Sequence, residues 1–324
     1  MSARHDLLRL LAVLLGLATA SAPAAGADYP PVTVSMTAQQ VAPDVYVVQG
    51  RAGGATEHEG FISNAGFVVT SAGVVVLDAL GSPSLATRMR ELIRAVTDKP
   101  VVKVFVTHYH ADHIYGLQVY KDEGAQIVAP AGATAYLRGP QAVERLAERR
   151  QTLAPFVNDA TRLVPPDTLV DADTTFTVGS HSFRLQPFGA VHSDGDLTMR
   201  VQPGAVLFSG DLLFEGRVPF VGDADSRRWL DALDSLLATE LAVLVPGHGA
   251  PSRDPRSTLA LTRDYLAYLR GAMGRAVEEM VPFEEAYAAV DWSRYQGLPA
   301  FESANRRNAY AVYLGMENEA MGRP

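Results

Sequence analysis

Short apolar runs punctuate this chain, and several of them end at its most reactive side chains. Val45 to Val48, Gly60 to Val69 and Val74 to Leu77 predict strands of a first sheet. Val101 to Val106 is β-branched and apolar enough to predict a buried strand. The same grammar returns in Ser182 to Pro187, in Ala205 to Phe208 before Ser209-Gly210-Asp211, and in Leu241 to Val245 before Pro246-Gly247-His248. Helical patterns lie between them. Pro83 opens a helix whose Leu85, Met89, Leu92, Ile93 and Val96 share one face, a stripe that packing alone explains. A second helix is predicted from Asp112 to about Glu123, stopped by Gly124. Gln141 to Leu153 is charged and helical, and together with Ala154 to Val170 it reads as an insertion that walls a pocket. Leu259 to Met280 and Phe283 to Val290 predict further helices, and Asn305 opens a last one. Helix following strand in this way predicts an α/β fold.

The chemistry sits at the strand ends. Thr107-His108-Tyr109-His110-Ala111-Asp112-His113 gathers three imidazoles and a carboxylate directly after a buried strand. Period-2 alternation points His108 and His110 the same way, while the start of a helix turns Asp112 and His113 back toward the same point. One segment thus has donors for two metal ions, and neutral imidazole with carboxylate suits zinc, with iron and manganese tolerating the same set. His192, Asp211 and His248 each follow a later strand and complete the pattern. Five of the eight histidines belong to it; His5, His58 and His181 do not.

With these motifs the chain resembles the metallo-β-lactamase superfamily, over about Val41 to Ser252. The resemblance implies an αβ/βα sandwich of two mixed sheets with a dinuclear site between them. It implies a hydrolase domain over residues 28–255 and a helical C-terminal extension, 256–324, packed on it. Residue by residue, His108, His110 and His192 look like ligands of one metal and Asp112, His113 and His248 of the other, with Asp211 as the bridging carboxylate. Asp78, ending Val74-Val75-Val76-Leu77-Asp78, matches the aspartate beneath the site and reads equally well as a turn residue. The implied activity is that of a two-zinc hydrolase, in which a metal-bound hydroxide attacks an ester, thioester, lactone or amide and Asp112 orients it and takes its proton. The absence of cysteine excludes the lactamase type with a cysteine ligand where Asp211 stands, and an oxygen bridge is closer to the glyoxalase II and lactonase branches. The helical tail, with Gly210-Asp211-Leu212-Leu213-Phe214 and Val218-Pro219, is similar to exported hydrolases of sulfur-oxidation operons and quinoprotein relay systems. Two other functions stay open: a mononuclear iron sulfur oxygenase using His108, His192 and Asp211, and a non-catalytic binding protein for a periplasmic cofactor.

Composition narrows the partners. A hydrophobic fraction of 48% in 324 residues supports a sizeable core. Arg4 and Arg9, the apolar Leu10 to Ala18 and the small Ala25-Gly26-Ala27 predict a signal peptide over residues 1–27, too short to span a membrane at roughly 20 residues. The processed protein is expected to be periplasmic or secreted, without stable membrane insertion. Losing Arg4, Arg9 and Asp6 from 28 basic and 36 acidic residues leaves 26 and 35, a net charge of −9. That disfavours nucleic acid and favours a small-molecule substrate. Lysines number only Lys99, Lys103 and Lys121, so an anionic substrate group falls to arginine, backbone or metal. By position, Glu57, His58, Phe61, Phe214, Arg217 and Phe220 are candidate pocket residues, and the glycine-rich Arg51 to Glu59 is a loop placed to lie over the metals.

Overall fold

Val74, Val75, Val76 and Leu77 are buried on both faces, the mark of a strand covered by helices on one side and by a second sheet on the other. A computed structural model describes residues 29–222, 224–237 and 241–322; the expected signal peptide lies outside the described residues. The chain runs β1 (Ala38–Ala42), β2 (Val45–Val48), β3 (Ala65–Thr70), β4 (Gly73–Leu77), α1 (Pro83–Arg94), β5 (Val101–Phe105), α2 (Ala111–Ile114), α3 (Leu117–Asp122) and β6 (Gln126–Pro130). It continues through α4 (Ala133–Arg138), α5 (Pro140–Thr152), β7 (Thr168–Val170), β8 (Thr174–Val178), β9 (His181–Gly189), β10 (Asp196–Gln202), β11 (Val206–Phe208), α6 (Ser226–Leu237), β12 (Val243–Val245), α7 (Pro255–Glu278), α8 (Phe283–Ala289) and α9 (Phe301–Ala320).

Two mixed sheets result, a seven-stranded one in the order β1-β2-β3-β4-β5-β6-β7 and a five-stranded one in the order β12-β11-β10-β9-β8. Val45, Val47, Val75, Phe105 and Val128 of the first interleave with Phe183, Leu185, Met199, Val206 and Val245 of the second. The opposite face of the first sheet packs on α1 and α3 through Leu85, Met89, Ile93, Leu117 and Tyr120. Leu207 and Leu244 of the second pack under α6, α7 and α9 through Trp229, Leu233, Leu266, Leu269 and Val312. The expected αβ/βα sandwich is therefore present. Among the described residues, no helix is long and apolar enough to cross a membrane.

Local chemistry explains where expectation and structure part. Helix α1 starts as predicted: Pro83 fills the first helical position and the Ser82 hydroxyl accepts from the Leu85 amide at 3.1 Å. Val96 lies past its end and is 41% exposed, so it leaves the stripe. The strand expected over Gly60 to Val69 begins only at Ala65, because Gly60 takes φ +81° and Asn64 turns its amide to the Pro246 and Gly249 carbonyls. The helix expected from Asp112 to Glu123 is broken at Tyr115-Gly116. Gly116 lies against the Ala79 carbonyl, where a β-carbon would come within 1.9 Å, and its amide is directed to the Leu80 carbonyl. The last helix opens four residues before Asn305.

Candidate metal centre

Four strands, β5, β9, β11 and β12, deliver the donors, and a fifth, β4, supports them. β4 ends at Asp78, which stands at φ +58°, a conformation that aspartate tolerates better than most residues. Its carboxylate accepts from the Thr107 amide at 2.7 Å and the Thr107 hydroxyl at 2.8 Å, and lies 2.9 Å from His113 Nδ1. An ionised carboxylate only accepts, so His113 carries its proton on Nδ1 and presents a lone pair on Nε2. The same logic fixes His108, whose Nδ1 is 3.0 Å from a Thr107 oxygen already donating to Asp78. It also fixes His248, whose Nδ1 donates to the Ile62 carbonyl at 2.7 Å. Asp78 thus contacts His113 directly and His108 through Thr107.

The lone pairs converge. Asp211, on the turn after β11, places Oδ1 3.2 Å from His113 Nε2 and Oδ2 3.4 Å from His192 Nε2, 3.3 Å from His248 Nε2 and 3.8 Å from His108 Nε2. His110 Nδ1 lies 3.1 Å from His192 Nε2. Asp112 Oδ2 is 3.2 Å from His248 Nε2 and 3.6 Å from His113 Nε2. His108, His110, His192 and Asp211 form one set of mutually close donors, and Asp112, His113 and His248 a second. Close approach depends on glycine: a β-carbon on Gly247 would lie 2.0 Å from Asp211 Oδ1, and one on Gly210, at φ +52°, would strike Thr107.

Electrostatics fit cation binding. Burial holds His108 and His110 below the ordinary histidine range and His192 down to about 3, which keeps their lone pairs free at neutral pH. Burial opposes ionisation of Asp112 and Asp211, but the surrounding imidazoles prevail and hold both carboxyls well below the usual range. His113 is buried too, yet Asp211, Asp112 and Asp78 hold its pKa well above the ordinary histidine range. Nε2 of His108 and His113 and Oδ1 of Asp211 are buried without a hydrogen-bond partner. Groups of that kind normally cost about 1–3 kcal/mol each. Divalent metal binding would satisfy neutral imidazoles and anionic carboxylates together.

A residue that sequence reading left unassigned holds His192. Asp196 Oδ2 accepts from the amides of Val191, His192 and Ser193, at 3.1, 2.7 and 2.9 Å, and Oδ1 accepts from the Ser193 hydroxyl at 2.8 Å. Burial lifts its pKa to about 6 against those bonds. The available signal was an acid closing His192-Ser193-Asp194-Gly195-Asp196, a spacing that suits a carboxylate folded back on its own loop.

A cavity of about 640 Å³ opens above the donors. Asp112 faces it most openly, with 23% of its side chain exposed against 4% for Asp211. Tyr136, Arg145 and Arg149 wall one side, so the expected insertion does contribute through its helix, whereas residues 154–170 supply no lining. Phe214, Arg217 and Phe220 wall another. Phe214 stacks on His248 with centroids 5.1 Å apart, and the Arg217 guanidinium lies 5.9 Å from the Phe214 ring. Burial lowers the Arg217 pKa, while Asp211, Asp112 and Glu57 raise it. Three expected pocket residues fall elsewhere: Glu57, which accepts from the Gly54 amide of its own loop, and Phe61 and His58. Phe61 turns into the core beneath the first sheet after the bend at Gly60, and His58 points outward with Nε2 3.1 Å from the Ala52 carbonyl. The glycine-rich loop still reaches the cavity through Gly54 and Ala55.

Comparison with known proteins agrees with this geometry. Residues 58–248 match the family described as the metallo-beta-lactamase superfamily. The linear primary-alkylsulfatase of a Pseudomonas species is 24% identical over 234 residues, covering 61% of this chain and 44% of that protein. The type 2 metallo-beta-lactamase of a Bacillus species is 26% identical over 194 residues, covering 58% of this chain and 66% of that one. Among solved structures, the stereoselective inverting sec-alkylsulfatase of Pseudomonas sp. aligns with a TM-score of 0.69 at 21% identity, over 89% of this chain and 52% of that chain. The metallo-beta-lactamase of Pontibacter korlensis aligns at 0.56 and 21% identity, over 72% and 99%. The chain thus spans under half the length of the alkylsulfatase relative it matches in sequence. With a family match running from His58 to His248, through every candidate ligand, the chain belongs to the metallo-beta-lactamase superfamily.

Proposed function

We propose that the protein is an exported, dinuclear zinc hydrolase of small ester, thioester, lactone or amide substrates. The observation that carries the reading is Asp211, whose two oxygens stand between two complete donor sets rather than at the edge of one. A second complete set, Asp112 with His113 and His248, favours two ions over the single iron of an oxygenase. Zinc suits imidazole and carboxylate donors that offer no thiolate. Two divalent ions held there would supply an electrophile and acidify water from about 15.7 toward roughly 7.

The chain's own groups do the rest. Asp112, the most open carboxylate of the site, orients the attacking water and receives its proton. Asp78 and Asp196 keep His113 and His192 aimed at the centre. Arg217, with no carboxylate at ion-pair distance among the described residues, meets negative charge on the substrate. The names of the alkylsulfatase relatives add sulfate esters to the substrates worth testing. Export rests on the pattern of residues 1–27.

Elemental analysis of the purified protein, run beside a panel of esters, thioesters, lactones, β-lactams and alkyl sulfates, tests the proposal. Two zinc ions per chain and turnover of at least one hydrolysable class are expected. One iron per chain with consumption of dioxygen would replace the reading by an oxygenase, and full loading with no turnover would replace it by a binding protein.

A further inference from the structure

The segment from Arg217 to Gly222 carries Arg217 and Phe220 of the cavity wall and forms neither helix nor strand. Phe220 projects over the donors, its ring centroid 6.4 Å from those of His110 and His192, and remains 40% exposed. Gly222 makes room for it, since a β-carbon there would lie 2.9 Å from the Phe220 ring. A loop in that position needs an anchor, and the anchor comes from the C-terminal helices.

Three hydrogen bonds tie the loop to that region. The Val218 amide donates to the Pro299 carbonyl at 3.0 Å, just before α9. Asn308, in the middle of α9 and fully buried, accepts from the Val221 amide at 2.9 Å and donates to the Pro219 carbonyl at 2.7 Å. The second Asn308 donor is braced by Tyr265 of α7 at 2.9 Å, whose hydroxyl donates to Asn305 at 2.8 Å. The Asn305 amide in turn donates to the Tyr287 hydroxyl of α8 at 3.0 Å. Three helices are joined in one buried polar chain that ends on a pocket loop. A network of that kind is costly unless every member is satisfied, and a buried apolar residue would serve packing alone equally well. The same helix also touches the cavity directly through Ser303, Ala304 and Arg307. The helices that hold the loop lie beyond residue 248, outside the span of the family match.

We infer that Asn308 is a positioning residue for substrate: by clamping Pro219 and Val221 to α9, it fixes Arg217 and Phe220 over the metal centre and makes the C-terminal helices part of the active site. The inference rests on the hydrolase reading. Asn308→Leu keeps the approximate shape and removes both bonds to the loop, while leaving every metal donor in place. Tyr265→Phe is the milder variant, removing the hydroxyl that braces Asn308 and Asn305 while leaving both Asn308 bonds to the loop.

The test compares the zinc-loaded full chain with both variants by hydrogen exchange, metal content and steady-state kinetics on the best substrate of the panel. In Asn308→Leu, amides in 214–222 are expected to exchange about tenfold faster, the change that one net hydrogen bond supports. The helical amides of α7 and the metal content stay unchanged. KM is expected to rise by a similar factor while kcat changes little, the split that marks lost substrate binding. Tyr265→Phe shifts the same readouts in the same direction by a smaller factor, and it carries the comparison should Asn308→Leu fold poorly. Unchanged exchange in 214–222, faster exchange spread evenly over α7 and α9, or a fall in kcat with loss of metal would each overturn the inference. A wild-type protein that hydrolyses nothing on the panel sinks the hydrolase reading instead, and exchange in 214–222 then decides alone whether Asn308 holds the loop.

Discussion

Replacing Asp78 with asparagine exchanges one oxygen for an NH2 group and tests how the site sets its tautomers. Asparagine accepts the φ of +58° as readily as aspartate, so the backbone has no reason to move. The carboxylate receives three hydrogen bonds, from the Thr107 amide, the Thr107 hydroxyl and His113 Nδ1. With its oxygen kept on the Thr107 amide, the new NH2 group faces His113 Nδ1. That nitrogen must then accept, and its proton moves to Nε2, the atom aimed at Asp211 and Asp112. Turning the amide round sets donor against donor at Thr107 and costs about 1–3 kcal/mol. Loss of such an orienting partner typically weakens metal binding about 10–100-fold, or roughly 1.4–2.7 kcal/mol. Competition titration of the metal-free protein against a chromophoric chelator measures both sites. The site served by His113 should weaken within that range and the one served by His110 and His192 clearly less. Two unchanged affinities would reduce Asp78 to a turn residue and refute the reasoning.

Gly247→Ala puts a methyl where Asp211 Oδ1 now lies 2.0 Å away, with Gly210 backbone at 2.7 Å, so an overpacking cost of about 1–3 kcal/mol and weaker metal binding are expected. Thermal unfolding and metal content check this, and a variant with native values for both would contradict the close approach. Chelation should lower thermal stability, because ions that bind only the folded chain stabilise it by about 2.7 kcal/mol each at a hundredfold excess over Kd. At about 2 °C per kcal/mol, two ions correspond to a fall on the order of 10 °C in a melting scan with and without chelator.

The strands and the donors were legible in the sequence because both are local. An apolar run such as Val101 to Val106 and the histidines that follow it state their own geometry. What was not legible depends on contacts between distant segments. The break at Gly116 exists because Ala79 lies against it, and no pattern between Asp112 and Glu123 records that neighbour. Phe61 looked like a pocket residue from its place beside the glycine-rich loop, but the bend at Gly60 sends it into the core. Asp196 was visible as one acid among several; only the folded loop shows three amides converging on it. The Asn308 clamp joins residues 87 apart, so it is beyond any local reading.

The bridging carboxylate is the centre of the proposed chemistry, and Asp211→Asn tests it most directly. The amide keeps the size of the side chain, and the turn after β11 is held by backbone bonds from Gly247 and Leu213 to the Gly210 carbonyl, so the chain should fold. Losing one anionic oxygen from between two donor sets leaves the repulsion of two cations less compensated. Metal stoichiometry and hydrolytic turnover of this variant, measured on the same sample, should show fewer than two tightly held ions and a loss of activity far larger than any loss of thermal stability. Two tightly held ions with unimpaired hydrolysis would contradict the bridge.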